Sequence, residues 1–445
     1  MREWVTVTDV PAVMETTRNT ARNLVRNETP ARLRLWSVLV VVAATALLLA
    51  TSLVMARIRS QVRVIGREAA PQAATAADLY FALSDMDAQA TRLLLTGDSD
   101  ALAGTRVDAL GAYRERSRQV DADLERMLAA SGGTDVAGQA VVVDLLDGLA
   151  VYHQRVGQTM TAADRVDRRQ AGRLPGEALG YYTQATNVLH LRLLPAAEQL
   201  RDAATTRLDR AYAGKRATEA TGYTLVLLFG GTLVVLLITL QVWMARRFRR
   251  SVNPALLGAT VLSLVLGVAA TVVLGAQAGR MSAARDDHLT PYLALSQLRA
   301  VGYDAAADTS RYVVAANLGL YRDDFTAKSR SLPDEIGRVA GGEARQRWED
   351  YQRDHEKVLT LAEAGKTGAA VDALTGIRRG DAAFDFAYFD AAVGAVTDVR
   401  KAGFDRELRG AERALRGGVV VPIVGLGVVI LLVPLGVRRR LAEYR

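Results

Sequence analysis

Four stretches of this sequence contain no charged residue over 21 to 24 positions, and they constrain the fold more than any other feature. A helix needs about 20 apolar residues to cross a hydrocarbon core of roughly 30 Å. Each of these charge-free stretches therefore predicts a membrane-spanning helix, and the chain is predicted to be a polytopic membrane protein. The stretches are residues 35–56, 222–245, 254–277 and 417–437.

The net charge of +8 is confined to three short segments. Residues 1–34, 246–253 and 438–445 carry excesses of +2, +4 and +3, whereas the long segments 57–221 and 278–416 carry 0 and −1. Because short basic segments stay on the cytoplasmic side, both termini and the 246–253 hairpin are predicted to be cytoplasmic, and both long segments extracytoplasmic, in a plasma-membrane protein. The positive charge then reflects topology and contact with the lipid bilayer, and no nucleic acid is predicted as a partner.

Both long outer segments show the apolar periodicity of helices, with residues such as Leu79, Leu83 and Met86 recurring at three- and four-residue steps. Glycine and proline breakers divide 57–221 into four pieces, which predicts a four-helix bundle. Segment 278–416 is divided less evenly and is predicted to form a shorter or more irregular bundle. The predicted fold class is an all-α membrane protein with four transmembrane helices and two extracytoplasmic helical domains in tandem.

The two outer segments also share a local pattern that suggests an internal repeat. Asp85 and Arg92 in the first segment, and Asp304 and Arg311 in the second, lie seven residues apart, which is two turns along one helix face. Two interpretations stay open for these four residues. They form ion pairs within the helix or on the bundle surface, or their arginines bind a ligand carboxylate or an acidic patch on a docking protein.

The cytoplasmic leader, residues 1–34, is predicted to contain a basic amphipathic helix. This helix either lies on the membrane surface or docks a cytosolic partner, and the two interpretations are compatible. The predicted contact residues are Val13, Met14, Arg18, Arg22, Leu24, Val25 and Arg26.

The residue inventory does not favour catalysis. The chain has no cysteine and four scattered histidines, without the spacing of a zinc helix. It has no phosphate-binding glycine loop and no nucleophile elbow. The charge-free stretches also lack the ionisable residues that mark ion and proton pathways. We therefore expect no catalytic residue, no metal and no cofactor.

Residues 87–98, Asp-Ala-Gln-Ala-Thr-Arg-Leu-Leu-Leu-Thr-Gly-Asp, resemble the end of the first helix in four-helix-bundle sensor domains of the chemoreceptor and CHASE3-like type. The second copy keeps the first part of this pattern and loses the Thr-Gly-Asp turn. Length, topology and composition together resemble the actinobacterial GlnX-type family of four-span membrane sensors. That resemblance implies two partners, an extracytoplasmic solute-binding lipoprotein (GlnH) and a cytosolic serine/threonine kinase (PknG).

The sequence thus predicts a non-enzymatic signal transducer, and the resemblance implies that it relays the availability of an amino acid of the glutamate, aspartate or glutamine type. The alternative is a membrane scaffold that anchors partner proteins without signalling. A receptor changes state with its ligand and a scaffold does not. The sequence leaves open whether the outer segments bind the ligand directly and whether the protein forms a homodimer.

Overall fold

The computed structural model describes residues 29–130, 136–248 and 253–441, and this part of the chain is helical without a strand. The all-α prediction is confirmed for these ranges. The helices are α1 (Thr29–Val64), α2 (Ala70–Leu95), α3 (Ala103–Ala130), α4 (Val136–Asp164), α5 (Gly176–Val188), α6 (Leu194–Phe248), α7 (Pro254–Ala283), α8 (Thr290–Val314), α9 (Gly319–Ser329), α10 (Leu332–Val339), α11 (Gly342–Glu363), α12 (Thr367–Thr375) and α13 (Ala382–Leu441).

One compact unit comprises Met1–Val62, Ala213–Met281 and Arg409–Arg445, and it contains all four charge-free stretches. These stretches contribute to a single apolar core in which each supplies fully buried side chains, among them Val40, Leu237, Leu256 and Val429. Many other apolar side chains of the same helices are exposed. This combination is typical of helices that pack together and also face lipid.

Five helical stretches are long and apolar enough to cross a membrane: Arg32–Leu95, Val136–Asp164, Gly176–Arg246, Pro254–Val314 and Ala382–Arg438. Four of them contain the charge-free stretches, which supports a multi-pass membrane protein. The additional stretch, α4, has the lowest mean hydropathy of the five and includes Asp144, Asp147 and Arg155. It packs on α5 in the second compact unit, so its apolar residues have a helix to cover them.

The second compact unit comprises Arg63–Tyr212 and Ser282–Leu408, so both outer segments belong to it. Its largest helix pairings are α2 with α3 and α2 with α8, and the latter joins the two segments. One core of buried side chains contains Leu95 and Tyr182 from the first segment together with Trp348 and Phe389 from the second. The segments therefore share a hydrophobic core, and their division into two tandem bundles stays a prediction.

Three π-helical turns, Ile65–Ala69, Leu189–Leu193 and Ala284–Leu289, precede α2, α6 and α8. In each case a proline follows within two residues of the turn, namely Pro71, Pro195 and Pro291. Proline has no N–H to donate and its ring crowds the carbonyl four residues before it. A widened turn relieves that crowding without ending the helix, so the chain stays helical through all three junctions.

Candidate functional site

Helices α2 and α8 bring a group of buried charges together at their interface. Arg311 of α8 is fully buried, and one of its terminal nitrogens donates a hydrogen bond to Asp87 of α2. The other terminal nitrogen donates to Asp308 and, at 3.1 Å, to Asp304. Asp87 and Asp308 are buried as completely as Arg311. The guanidinium fork is thus occupied by three carboxylates of the protein itself.

Lys328 of α9 completes this group, with its Nζ 2.6 Å from both Asp304 and Asp308. We call Asp87, Asp304, Asp308, Arg311 and Lys328 the charge cluster. Its three carboxylates exceed its two cations by one negative charge. Such an excess is costly away from water and favours uptake of one proton.

The pKa values of the carboxyl groups in the charge cluster are consistent with its excess of one negative charge. Burial raises the pKa of Asp308 to about 6, against the opposing effect of Arg311 and Lys328. Burial acts on Asp304 too, but Arg311 and Lys328 hold the pKa of that carboxyl well below its usual range. His190 lies 3.5 Å from Asp304, and burial together with Arg311 lowers the pKa of this imidazole. Of Asp304 and Asp308, Asp308 is therefore the carboxyl that takes up a proton as the pH falls to about 6.

Two tyrosines connect α4 and α5 to α2, one at the charge cluster and one beside it. The Tyr152 hydroxyl donates to Asp87 at 2.8 Å, and the Tyr182 hydroxyl lies 2.6 Å from the Thr91 hydroxyl. Both tyrosines are fully buried. Asp87 thus accepts hydrogen bonds from α4 and α8 at once, which fixes the position of α2 between them.

Next to the charge cluster, between α2, α8 and α13, lies a cavity of about 240 Å³. Arg92 lines this cavity, and its buried Nε has no hydrogen-bond partner. Among the described residues Arg92 forms no ion pair. Burial lowers the pKa of its guanidinium. We call this space the Arg92 cavity; its walls include Gln89, Tyr303, Ala306, Ser310, Tyr351, Thr375, Phe386 and Asp390.

Helix α2 contributes residues to both the charge cluster and the Arg92 cavity. The segment that contains α2 to α5 is similar to a known family. Residues 61–213 match the model of the actinobacterial sensor domain. No curated protein and no solved structure matches the chain. The match supports a sensor protein of the actinobacterial type, and the matched segment contributes Asp87, Arg92, Tyr152 and Tyr182 to the geometry described above.

The two predicted pairs, Asp85–Arg92 and Asp304–Arg311, have different outcomes in the structure. In the second copy, Asp304 and Arg311 form an ion pair within α8. In the first copy, Asp85 instead pairs with Arg116 of α3 and accepts a hydrogen bond from Gln89 at 2.8 Å. Equal spacing thus leads to different partners, because α3 brings a competing arginine to Asp85. The ligand- or partner-binding roles of these residues stay predictions.

The sequence patterns did not single out Asp308 or Lys328. Asp308 stands three residues before Arg311, a spacing that predicts contact on a helix. Lys328 gave no such signal, because it belongs to a different helix. Asp87 opened the motif that resembles sensor domains, but no local pattern indicated its partner.

The predicted leader contacts Val13, Met14, Arg18, Arg22, Leu24, Val25 and Arg26 lie outside the described residues. Across residues 29–130, 136–248 and 253–441, no three His, Asp or Glu side chains are grouped in a way that could hold a metal ion. The three carboxylates of the charge cluster are instead satisfied by Arg311 and Lys328.

Proposed function

We propose that this protein is a non-enzymatic transmembrane sensor that relays the availability of an extracytoplasmic amino acid to a cytosolic partner. The observation that carries the proposal is the sensor-domain match of residues 61–213 within a chain of long apolar helices. The resemblance to GlnX-type proteins supports a ligand of the glutamate, aspartate or glutamine type. It also supports a solute-binding lipoprotein outside and a serine/threonine kinase inside. The positive charge of the short segments supports a cytoplasmic location for both termini.

Two helices provide a physical route for the signal. Helix α6 continues for 55 residues and α13 for 60 residues, and each includes outer-segment residues as well as a charge-free stretch. A displacement of about 1–2 Å along or around such a helix is a known size for signalling steps. The cue can drive it only by binding one arrangement of the outer helices more tightly than the other.

Crosslinking in native membranes, with and without added glutamate, tests this proposal. We expect captured proteins to include a solute-binding lipoprotein and a serine/threonine kinase, and the yield of one of them to change with glutamate. The same partners captured in equal yield under both conditions would favour the scaffold. Turnover of a metabolite by the purified protein would contradict the non-enzymatic assignment.

A further inference from the structure

The internal repeat relates the Arg92 cavity to the charge cluster. Arg92 and Arg311 follow the aspartates of their pairs by the same seven residues. This alignment places Gln89 at the position of Asp308. It also places Ala306, five residues before Arg311, at the position that Asp87 holds five residues before Arg92. The repeat therefore predicts that Arg92 faces Ala306 as Arg311 faces Asp87, and Arg92 and Ala306 do line one cavity.

Two substitutions within this repeat leave Arg92 without an ion-paired acid, and the acid whose charge acts on it, Asp108 of α3, forms no ion pair with it. Arg311 has Asp308 on its own helix and Asp87 across the interface. At the equivalent positions Arg92 has the uncharged Gln89 and the small Ala306. The buried Nε atoms of Arg92 and Arg311 both lack a hydrogen-bond partner. The two arginines differ at their terminal nitrogens, because those of Arg311 donate to three carboxylates, whereas Arg92 lines the cavity and forms no ion pair among the described residues. A buried guanidinium without a hydrogen-bonded acid is costly, and a ligand carboxylate would relieve that cost.

The remaining walls of the Arg92 cavity fit the rest of a small metabolite. Tyr303, Tyr351 and Phe386 offer apolar contact. Asp390 accepts hydrogen bonds from Arg299 at 2.7 and 3.0 Å and from Tyr303 at 3.1 Å. A carboxylate has further acceptor capacity, which suits an ammonium group. The volume of about 240 Å³ is below the roughly 300–1,000 Å³ of drug-sized sites, so the ligand is small.

We propose that the Arg92 cavity binds a small α-amino acid directly, with its carboxylate on the fork of Arg92 and its ammonium toward Asp390. This inference rests on the proposed sensor function and names the ligand class and the site. Because residues of both α2 and α8 line the cavity, an occupant would contact both outer segments. Binding would then stabilise one arrangement of these two helices, which is what a sensor requires.

Binding to the purified full-length protein in lipid nanodiscs tests the site. The probes are L-glutamate, L-aspartate, L-glutamine and succinate, each followed by calorimetry and by thermal unfolding. We expect saturable binding and a raised melting temperature for at least one of the amino acids. Succinate has the carboxylates of aspartate without the ammonium, so we expect it to bind more weakly than aspartate. Absence of binding by all three amino acids would overturn the proposal.

Variants separate a ligand contact from a structural role. Arg92→Ala should weaken binding by about tenfold to hundredfold, as expected for loss of charged hydrogen bonds, and Arg92→Lys should retain part of it. Ala306→Asp supplies an acid opposite Arg92 and should abolish binding while the protein stays folded. Arg118→Ala, at an exposed pair with Glu115, is the matched control and should bind normally. Unchanged affinity in both Arg92→Ala and Ala306→Asp would exclude this cavity.

Failure of the cavity proposal can be told from failure of the proposed function. If the amino acids do not bind the purified protein but glutamate still changes partner capture in membranes, the sensor function stands and its ligand binds elsewhere. If they bind at Arg92 but no partner responds in membranes, the site stands and the relay does not.

Discussion

Arg311 of α8 donates a hydrogen bond to Asp87 of α2, and this ion pair joins two parts of the chain that are 224 residues apart in sequence. The two side chains are 1% and 0% exposed. A buried pair of this kind is costly to break from one side, because the remaining charge has no water to solvate it. The relationship makes the α2–α8 interface depend on a specific partner as well as on apolar packing.

Replacement of Arg311 by methionine should lower the free energy of unfolding by about 3–5 kcal/mol, because three buried carboxylates would lose a shared cation. Chemical unfolding of the detergent-solubilised protein, followed by tyrosine and tryptophan fluorescence, measures this. Arg192→Met is the control, since Arg192 pairs with Asp144 at 2.6 Å on the surface and should matter little. Equal effects of the two substitutions would contradict the importance given to the charge cluster.

Asp308 predicts a specific pH dependence. Its pKa rises from 3.8 in an unfolded chain to about 6 in the folded protein, so the folded state binds the proton more tightly. This group therefore contributes stability below pH about 6 and loses it as the pH rises through that value. The Asp308→Asn variant cannot take up this proton. As the pH falls from about 7 to about 5, the free energy of unfolding of the native protein should therefore increase relative to that of the variant.

Melting temperatures of both proteins at several pH values measure this difference. The comparison between variants is needed because burial lowers the pKa of His355 to about 3. That histidine destabilises the fold in the same pH range, but equally in both proteins. Parallel pH profiles of the two proteins would contradict the raised pKa of Asp308.

Gly97 should not tolerate alanine. Its φ is +57°, and an added Cβ would lie 2.8 Å from the carbonyl oxygen of Arg169 and from the amide nitrogen of Ala171. We expect Gly97→Ala to cost more than about 1 kcal/mol of stability. Gly111→Ala, within α3 and with open space around it, should instead stabilise by roughly 0.5–1 kcal/mol. Thermal unfolding measures the stability of both variants. A stabilised Gly97→Ala variant would show that position 97 tolerates a Cβ atom.

Local sequence patterns predicted the parts of the fold that depend on local physics. A charge-free stretch of this length is expected to form a membrane-spanning helix, and the side chains of the four stretches contribute to one apolar core. The Thr-Gly-Asp turn also appears where α2 ends, and the Asp98 side chain accepts a hydrogen bond from the Arg169 backbone amide at 2.8 Å. Periodicity reports which face of a helix is apolar, and it does so without information from the rest of the chain.

The same patterns could not identify partners across the fold. The spacing of Asp85 and Arg92 equals that of Asp304 and Arg311, yet Asp85 pairs with Arg116. Lys328 joins the charge cluster from another helix. Which of several equivalent charges meet depends on how helices pack, and a one-dimensional pattern does not contain that information. The ligand-sized space beside Arg92 likewise depends on residues of α8, α11, α12 and α13 that are far from Arg92 in the sequence.

Membrane topology can be tested with reporter fusions. Fusions after Gly133 and Gly342 should report an extracytoplasmic location, and a fusion after Arg250 a cytoplasmic one, because the positive excess lies in the short segments. Paired alkaline phosphatase and fluorescent-protein reporters give opposite signals on the two sides. A cytoplasmic signal at Gly133 would refute the proposed orientation.

Deletion of residues 2–28 tests the leader. The shortened protein should still insert, because the first charge-free stretch and the flanking Arg32 and Arg34 remain. It should lose the downstream response, since the apolar face of the leader is proposed to contact the cytosolic partner. Membrane fractionation measures insertion, and phosphorylation of the kinase's substrates measures the response. A normal response would mean that the 246–253 hairpin or the segment 438–445 makes the contact.

The Asp87–Arg311 pair also has a consequence for synthesis. The ribosome makes Asp87 224 residues before Arg311, and at roughly 5–20 residues per second this interval lasts on the order of tens of seconds. During that time α2 has neither its buried counter-ion nor the apolar surface of α8. Helices of the first outer segment therefore cannot complete their native packing until the second outer segment has been translated. The last step of folding is then the packing of α2 against α8.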